Sequence, residues 1–244
     1  MNFVASRGFI IPAAVFNINA MDEEISGDSR EVSSSQPWLH PKLAGTVERH
    51  LRQPFRKPVA DHNRTAFQAL LPALEAGRPL VLDSFCGTGL STAQLASRHP
   101  EHLVIGVDKS AHRLEKHVPG KNDNYQLLRA DCEDIWRLLR EAGAELEYHY
   151  LLYPNPWPKP GHLGRRIHGH GAFPEILRLG GQVELRSNWQ IYVEEFGQAI
   201  QLAGHPGVVS RLEVSEPLTL FERKYQASGQ ALWRFQGRVK AGVQ

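Results

Sequence analysis

From residue 80 onward, short β-prone runs alternate with segments of helical length, and this alternation restricts the fold of the 244-residue chain more than any other feature. Such alternation predicts βαβ units and a parallel sheet with helices on both faces. A long excursion containing Pro217 and Gly229 joins the last two runs, which favours a final antiparallel hairpin. We therefore predict an α/β fold with a mostly parallel sheet. The seven predicted strands are Leu80–Leu82, His102–Val107, Tyr125–Arg129, Tyr148–Tyr153, Gln182–Arg186, Val208–Val214 and Ala231–Val239.

The beginning of the chain has a different composition. Residues 1–36 combine a short apolar run with an acidic, Ser-rich stretch and show no helical or alternating period, so we expect a disordered N-terminal extension. Met21 is the only internal methionine, and we hypothesise that the natural product starts there. Residues 37–78 are expected to form a helical segment that packs on the core, and residues 79–244 to form the main domain.

Apolar residues at three- and four-residue spacing predict helices on both sides of residue 80. In the N-terminal segment a short helix is predicted over Leu43–Leu51, and Asn63 can cap a second helix that runs to about Ala76. Further helices are predicted over Leu90–Arg98 and Trp189–Ala203.

Composition excludes several classes of protein. Only Cys86 and Cys132 are available for sulfur chemistry, which excludes a disulfide scaffold and a thiolate zinc cage and favours a reducing compartment. The longest apolar run, Phe9–Phe16, is about half as long as a membrane-spanning helix. A net charge of +2 does not by itself indicate a polyanionic partner. We expect a cytoplasmic monomer without a membrane segment.

A glycine-containing turn follows the first predicted strand. It reads Asp83-Ser84-Phe85-Cys86-Gly87-Thr88-Gly89, and a helix starts directly after it. Glycines at such a turn let the backbone approach a ligand closely, and the helix N-terminus adds amide donors. The second strand leads to Asp108, 19 residues beyond Gly89, where an acid binds the ribose hydroxyls of an adenosine cofactor. A tight turn without a ligand is the alternative for the glycine motif taken alone.

Three acids therefore follow three successive strands, because Asp131 comes after the third. Two features disfavour a dinucleotide such as NAD. Thr92 stands where its fingerprint needs a third glycine, and Asp83 would repel a pyrophosphate. S-adenosylmethionine has no phosphate and carries a cationic sulfonium and ammonium, so an acid at the glycine turn favours its binding.

This pattern resembles the class I S-adenosylmethionine-dependent methyltransferases, whose Rossmann-like, seven-stranded sheet also ends in an antiparallel hairpin. That family usually has a glycine where Phe85 stands. The resemblance implies a set of cofactor-binding residues. They are Asp83, Cys86, Gly87 and Gly89 around the methionine part, Asp108 at the ribose, Asp131 at the adenine, and Asn155 beside the methyl group.

A cationic loop follows the fourth predicted strand. From Tyr148 to Pro174 the chain has no acid, while it has Lys159, Arg165, Arg166 and four histidines. A solvated basic loop is one interpretation, but aromatic and cationic side chains together also suit a nucleobase on a phosphate backbone. The histidines of the loop lack a fourth partner at metal-ligand spacing, so we expect no metal.

The stretch PNPWPKPGHLGRRIHG is similar to the PDPWPK-x-x-H-x-x-R-R signature of the bacterial tRNA (guanine-7-)-methyltransferases. Residues 187–192 and 219–223 resemble that family's T-D-W-x-x-Y and T-x-F-E-x-R segments, and Gly229 follows as expected. The resemblance implies tRNA modification, with methyl transfer to ring nitrogen seven of guanine in structured RNA. It places Asn155 at the catalytic position. The implied substrate-binding residues are Lys159, Arg165, Arg166, Asn188, Thr219 and Glu222.

Two family aspartates correspond to Asn155 and Asn188 in this chain. An amide supplies one acceptor and two donors but no charge, so the target or rate can differ from the family's. Guanine N7 already has a free lone pair and needs no strong base, so positioning suffices for catalysis. Three alternatives stay open: a paralogue that binds cofactor or RNA without catalysis, a methyltransferase for an exocyclic amine, and one for a small molecule or protein.

Overall fold

The computed structural model describes residues 29–242. The hypothesis of a start at Met21, and the part of the predicted disordered extension before residue 29, lie outside the described residues. Residues 29–41, here called the N-terminal strap, were partly expected to be disordered but make specific contacts. Gln36 is buried, and its side-chain nitrogen donates a hydrogen bond to Glu195 Oε1 at 2.7 Å. Low hydrophobicity alone did not reveal this polar anchoring.

Seven strands form one mixed sheet in the order β3-β2-β1-β4-β5-β7-β6. All pairs are parallel except β5 with β7 and β7 with β6. The predicted α/β fold with a C-terminal antiparallel pair is confirmed. The strands are β1 (Leu80–Ser84), β2 (Leu103–Asp108), β3 (Tyr125–Arg129), β4 (Leu146–Leu152), β5 (Gly181–Ser187), β6 (Val208–Leu212) and β7 (Leu232–Val239).

Eight α-helices occur in the described chain. They are α1 (Leu43–Arg52), α2 (Asp61–Glu75), α3 (Leu90–Arg98), α4 (Ala111–Leu114), α5 (Cys132–Glu141), α6 (Phe173–Leu179), α7 (Gln190–Leu202) and α8 (Leu220–Ala227). The excursion between β6 and β7 thus contains a helix. None of the described helices is long and apolar enough to cross a membrane.

The predicted cap at Asn63 is wrong. The residue before α2 is Ala60, and Asn63 lies inside the first turn, fully buried. An asparagine side chain can hydrogen-bond to another element as well as to its own helix, and local sequence does not distinguish the two.

The sheet has apolar clusters on both faces because successive strand residues alternate in direction. Val81 and Val104 pack with α3 residues on one face, while Leu82 and Ile105 pack on the other with α5, α6 and α7. The direction of strand addition reverses between β1 and β4. Ligands of open α/β sheets bind outside the carboxyl ends of the strands at such a switch point, so the fold itself indicates where a site lies.

Candidate active site

A cleft of about 650 Å³ opens at the carboxyl ends of the parallel strands. Its walls include strand ends, the loop of residues 154–170, here called the basic loop, and one face of α8. The predicted site residues that line it are Asp108, Asp131, Asn155, Arg165 and Asn188. The predicted residues outside its lining are Asp83, Cys86, Gly87, Gly89, Lys159, Arg166, Thr219 and Glu222.

Asp83 is the penultimate residue of β1, just before the glycine turn, and is fully buried. Its Oδ2 accepts hydrogen bonds from Ser91 Oγ and Thr92 Oγ1, each at 2.7 Å. Its Oδ1 is buried without a hydrogen-bond partner. Burial raises the pKa of this carboxyl to about 6, although the two hydroxyls act in the opposite direction. An unpaired buried carboxylate oxygen is costly, so the site favours a donor or a cation there.

The glycine turn brings the backbone to Asp108. Gly87 N donates to Asp108 Oδ2 at 3.1 Å, and a Cβ added at Gly87 would meet no atom within 4 Å. Cys86 is buried, and burial raises the pKa of its thiol. Gly89 has a φ of 76° and caps α3 at its N-terminus. The turn therefore leaves space beside the Gly87 Cα, although the residue is buried, and packs closely around Gly89.

Three non-glycine residues of the described chain adopt a left-handed backbone, Phe85, Tyr153 and Trp157, with φ of 65°, 54° and 47°. All three line the cleft. Such conformations are strained for residues with a side chain and concentrate at functional sites. Phe85 keeps the conformation that a glycine would favour, and its ring packs edge-on against Trp136 at 6.0 Å.

Three groups contact the side-chain oxygens of Asp108. Besides Gly87 N, its oxygens accept from Ser110 N at 2.8 Å and lie 3.3 Å from Arg113 Nη1. The Asp108 side chain is only 3% exposed, whereas that of Arg113 is 43% exposed. The exposed partner is thus the arginine, while the carboxylate is buried and held by two backbone N–H groups.

Asp131, after β3, is positioned by the N-terminal helical segment. Asn63 Nδ2 lies 3.3 Å from Asp131 Oδ2 and 2.7 Å from Asp134 Oδ2, and Asn63 Oδ1 accepts from Asp131 N at 3.1 Å. One buried amide therefore fixes both the side chain and the backbone of Asp131. Sequence reasoning missed this role of Asn63.

The basic loop carries the residues that follow β4. Asn155 is exposed, and its Oδ1 accepts from Trp157 N at 3.3 Å. The Arg165 guanidinium lies over the Trp157 ring at 4.8 Å. Lys159 is exposed but lies outside the cleft lining. An aromatic face and a cation thus adjoin the amide of Asn155.

The prediction that Arg166 binds substrate is wrong. Its side chain is fully buried and pairs with buried Glu195 at 2.6 Å, and it also donates to Gln36 and to the Trp157 carbonyl. His168 adds a contact to Glu195 Oε2 at 2.8 Å. Hydrogen bonds from these side chains lower the pKa of Glu195 to about 2 despite its burial. Arg166 therefore anchors the basic loop. Of these two neighbouring arginines, only Arg165 lines the cleft.

The predictions for Thr219 and Glu222 also need correction. Thr219 caps α8 by accepting from Glu222 N at 3.0 Å, and Glu222 Oε2 in return accepts from the backbone of Leu218, the residue before the cap, at 2.6 Å. Glu222 is fully buried and accepts from Tyr153 Oη at 3.0 Å and from Arg186 at 2.7 Å. Both residues fix α8 against the sheet, and neither lines the cleft. Asn188 does line the cleft, but its Nδ2 donates to Gln230 at 2.8 Å.

Residues 77–235 match the family described as "Putative methyltransferase", which is more than half of the chain. The chain belongs to this methyltransferase family. It is 30% identical over 180 residues to the tRNA (guanine-N(7)-)-methyltransferase of Photorhabdus laumondii, a match covering 64% of this chain and 70% of the relative. The corresponding enzyme of Rubrobacter xylanophilus is 32% identical over 169 residues, with 66% and 74% covered.

Solved structures agree on the fold. The 16S rRNA methyltransferase KamB gives a TM-score of 0.53 at 18% identity, with 75% of this chain and 95% of KamB covered. A likeness at this identity supports the methyltransferase fold and nothing finer.

The methyl donor of class I methyltransferases is S-adenosylmethionine, and this methyltransferase has residues that fit it. The orphaned Oδ1 of Asp83 suits a cationic amino group, and the open space at Gly87 allows close approach of a ligand. Asp108 provides a fixed acceptor for hydroxyls. Among residues 29–242, no group of three or more His, Cys, Asp or Glu side chains is arranged to hold a metal ion.

Proposed function

We propose that this methyltransferase transfers a methyl group from S-adenosylmethionine to ring nitrogen seven of a guanine in tRNA. One observation carries the proposal. A single cleft joins the strand-end acids Asp108 and Asp131 to Asn155 and to the Trp157–Arg165 pair of the basic loop. Acids suit the cationic adenosine donor, while the aromatic and cationic side chains suit an RNA base beside its phosphates. The tRNA enzymes among its relatives support the choice of RNA.

The donor side is assigned to the strand ends. We assign the ribose hydroxyls to Asp108, the adenine to Asp131, and the amino group to Asp83, with Gly87 supplying close backbone approach. When bound, S-adenosylmethionine would supply an electrophilic methyl group, with its thioether as the leaving group and a cationic base as the product. The protein's part is to hold the two reactants in line and to exclude water, which lowers the barrier by several kcal/mol.

Asn155 favours the N7 edge of guanine over an exocyclic amine. Its Oδ1 already accepts from Trp157 N, whereas both N–H donors of Nδ2 are free. The N7 edge of guanine presents the acceptors N7 and O6, and a donor to O6 would orient the base without blocking N7. An exocyclic amine needs an acceptor instead, and one of the two lone pairs of Asn155 Oδ1 is already used by Trp157 N.

The proposed setting is the cytoplasm, where tRNA is available. We also propose that the protein acts as a monomer. Sedimentation of the purified protein with and without tRNA tests the second point: a 1:1 complex supports it, and an obligate dimer contradicts it.

The activity is tested by incubating the purified protein with methyl-labelled S-adenosylmethionine and unmodified tRNA transcripts. We expect label in the tRNA and none in single-stranded RNA of the same composition. Asn155→Ala should lower the rate while S-adenosylhomocysteine affinity is retained. Donor binding without transfer to any RNA would favour the non-catalytic paralogue.

A further inference from the structure

Aromatic side chains of α8 form one wall of the cleft. The roles assigned above to the strand-end acids and the basic loop do not account for these side chains. Phe221 is 44% exposed although it is a large apolar residue, and it lines the cleft together with Tyr225, one turn further along. The two rings are stacked, with centroids 6.0 Å apart and an interplanar angle of 24°. Tyr225 in turn contacts Tyr153 at 5.6 Å. The exposed ring therefore stands at the end of a continuous aromatic row.

Buried contacts of α8 fix the orientation of this aromatic wall. Glu222, next to Phe221, is fully buried and accepts hydrogen bonds from Tyr153, Arg186 and the backbone of Leu218. The N-cap at Thr219 sets the first turn of α8. An exposed phenylalanine on a helix held this firmly is not a flexible surface residue. It keeps an apolar ring in water at the mouth of a functional cleft.

On the basis of the proposed function, we propose that Phe221 is the stacking platform for the target guanine and thereby a specificity-determining residue. Bases stack on aromatic side chains, and the same cleft is lined by Trp157, whose ring lies 4.8 Å from the Arg165 guanidinium. Asn155 then reads the edge of a base that Phe221 holds by its face.

The charge produced by the reaction strengthens this interaction. The N7 lone pair forms the bond to the methyl carbon, the carbon–sulfur bond breaks, and its electron pair stays on sulfur. The base therefore becomes cationic as the methyl group arrives. An aromatic face attracts a cation, so Phe221 stabilises the transition state more than the neutral ground state. Its loss is expected to lower kcat as well as to raise KM for tRNA.

Substitutions at two adjacent positions test the proposal. Phe221→Ala should lower kcat/KM for an unmodified tRNA transcript about tenfold, whereas Phe221→Tyr, which keeps the aromatic face, should stay within about twofold of the wild type. Leu220→Ala is the matched control, because Leu220 is 40% exposed on the same helix but does not line the cleft. It should leave kcat/KM unchanged. Affinity for S-adenosylhomocysteine should be equal in all four proteins, which excludes a folding defect.

A wild-type rate for Phe221→Ala would contradict the proposal that Phe221 stacks on the base. Full activity of Phe221→Leu would also contradict it, because apolar packing without an aromatic face would then suffice. If the wild type transfers no methyl group, the proposed function fails by itself, and filter binding of the tRNA transcript then decides the platform. Weaker binding by Phe221→Ala than by Leu220→Ala supports it in that case. Equal binding overturns it.

Discussion

At the scale of single residues, the proposed role of Asp83 predicts that its protonation links pH to donor binding. The folded-state pKa of about 6 exceeds the ordinary value of 3.8 because the carboxyl is buried. In the free protein, this group therefore contributes stability below pH 3.8 that is lost as the pH rises through about 6. A bound ammonium reverses the preference because it needs the ionised form.

We therefore expect the affinity for S-adenosylhomocysteine to be constant above about pH 7 and to fall toward tenfold per pH unit well below 6. Titration calorimetry between pH 5 and 8 measures it. Asp83→Asn should bind more weakly and lose the pH step near 6. Constant wild-type affinity from pH 5 to 8 would show that Asp83 does not face the cationic group.

A second prediction at this scale concerns Asn63. In Asn63→Ala, Asp131 and Asp134 lose a shared donor, so the free energy of unfolding should fall by about 1–3 kcal/mol. Affinity for S-adenosylhomocysteine should fall several-fold because Asp131 is no longer fixed. Urea denaturation and calorimetry provide the two values. The control is Asn122→Ala, whose hydrogen bond to Ser97 is exposed; if both variants bind the ligand equally, Asn63 does not position the site.

At the scale of elements, the basic loop depends on two neighbouring arginines with opposite environments. Arg166 is buried with Glu195, so Arg166→Ala leaves a buried charge and should cost about 3–5 kcal/mol of unfolding free energy. Exposed Arg165 pairs with Trp157, so Arg165→Ala should change stability by less than about 0.5 kcal/mol. The same variant should lower the salt slope of tRNA binding by about 1. Similar unfolding free energies for the two variants would contradict this division of roles.

The N-terminal strap is a second element whose role can be tested. Gln36 donates to buried Glu195 and accepts from Arg166, while Ser34 Oγ donates to the Pro158 carbonyl at 2.6 Å. We expect removal of residues 1–41 to destabilise the protein by about 2–3 kcal/mol relative to removal of residues 1–28. Thermal unfolding of both truncated proteins compares them. Equal melting temperatures would mean that the strap does not support the loop.

At the scale of the whole molecule, the sheet was predictable because each strand is a short apolar run between helices. The strand-end positions of Asp108, Asp131 and Asn155 followed from that topology. The roles of Asn63, Arg166 and Glu222 did not, because each depends on a partner between 29 and 71 residues away in sequence. A buried arginine and an exposed one are indistinguishable in the dipeptide Arg165-Arg166.

The measurement that bears most directly on the proposed activity is the identity of the methylated nucleoside. Unmodified tRNA is treated with the protein and labelled S-adenosylmethionine, digested to nucleosides and separated against standards, with mass spectrometry of the labelled fraction. We expect all of the label in 7-methylguanosine, and its loss on Asp108→Ala because the donor is no longer held. Label in an exocyclic amine of any base, or in no nucleoside while the protein binds S-adenosylhomocysteine, would contradict methyl transfer to guanine N7.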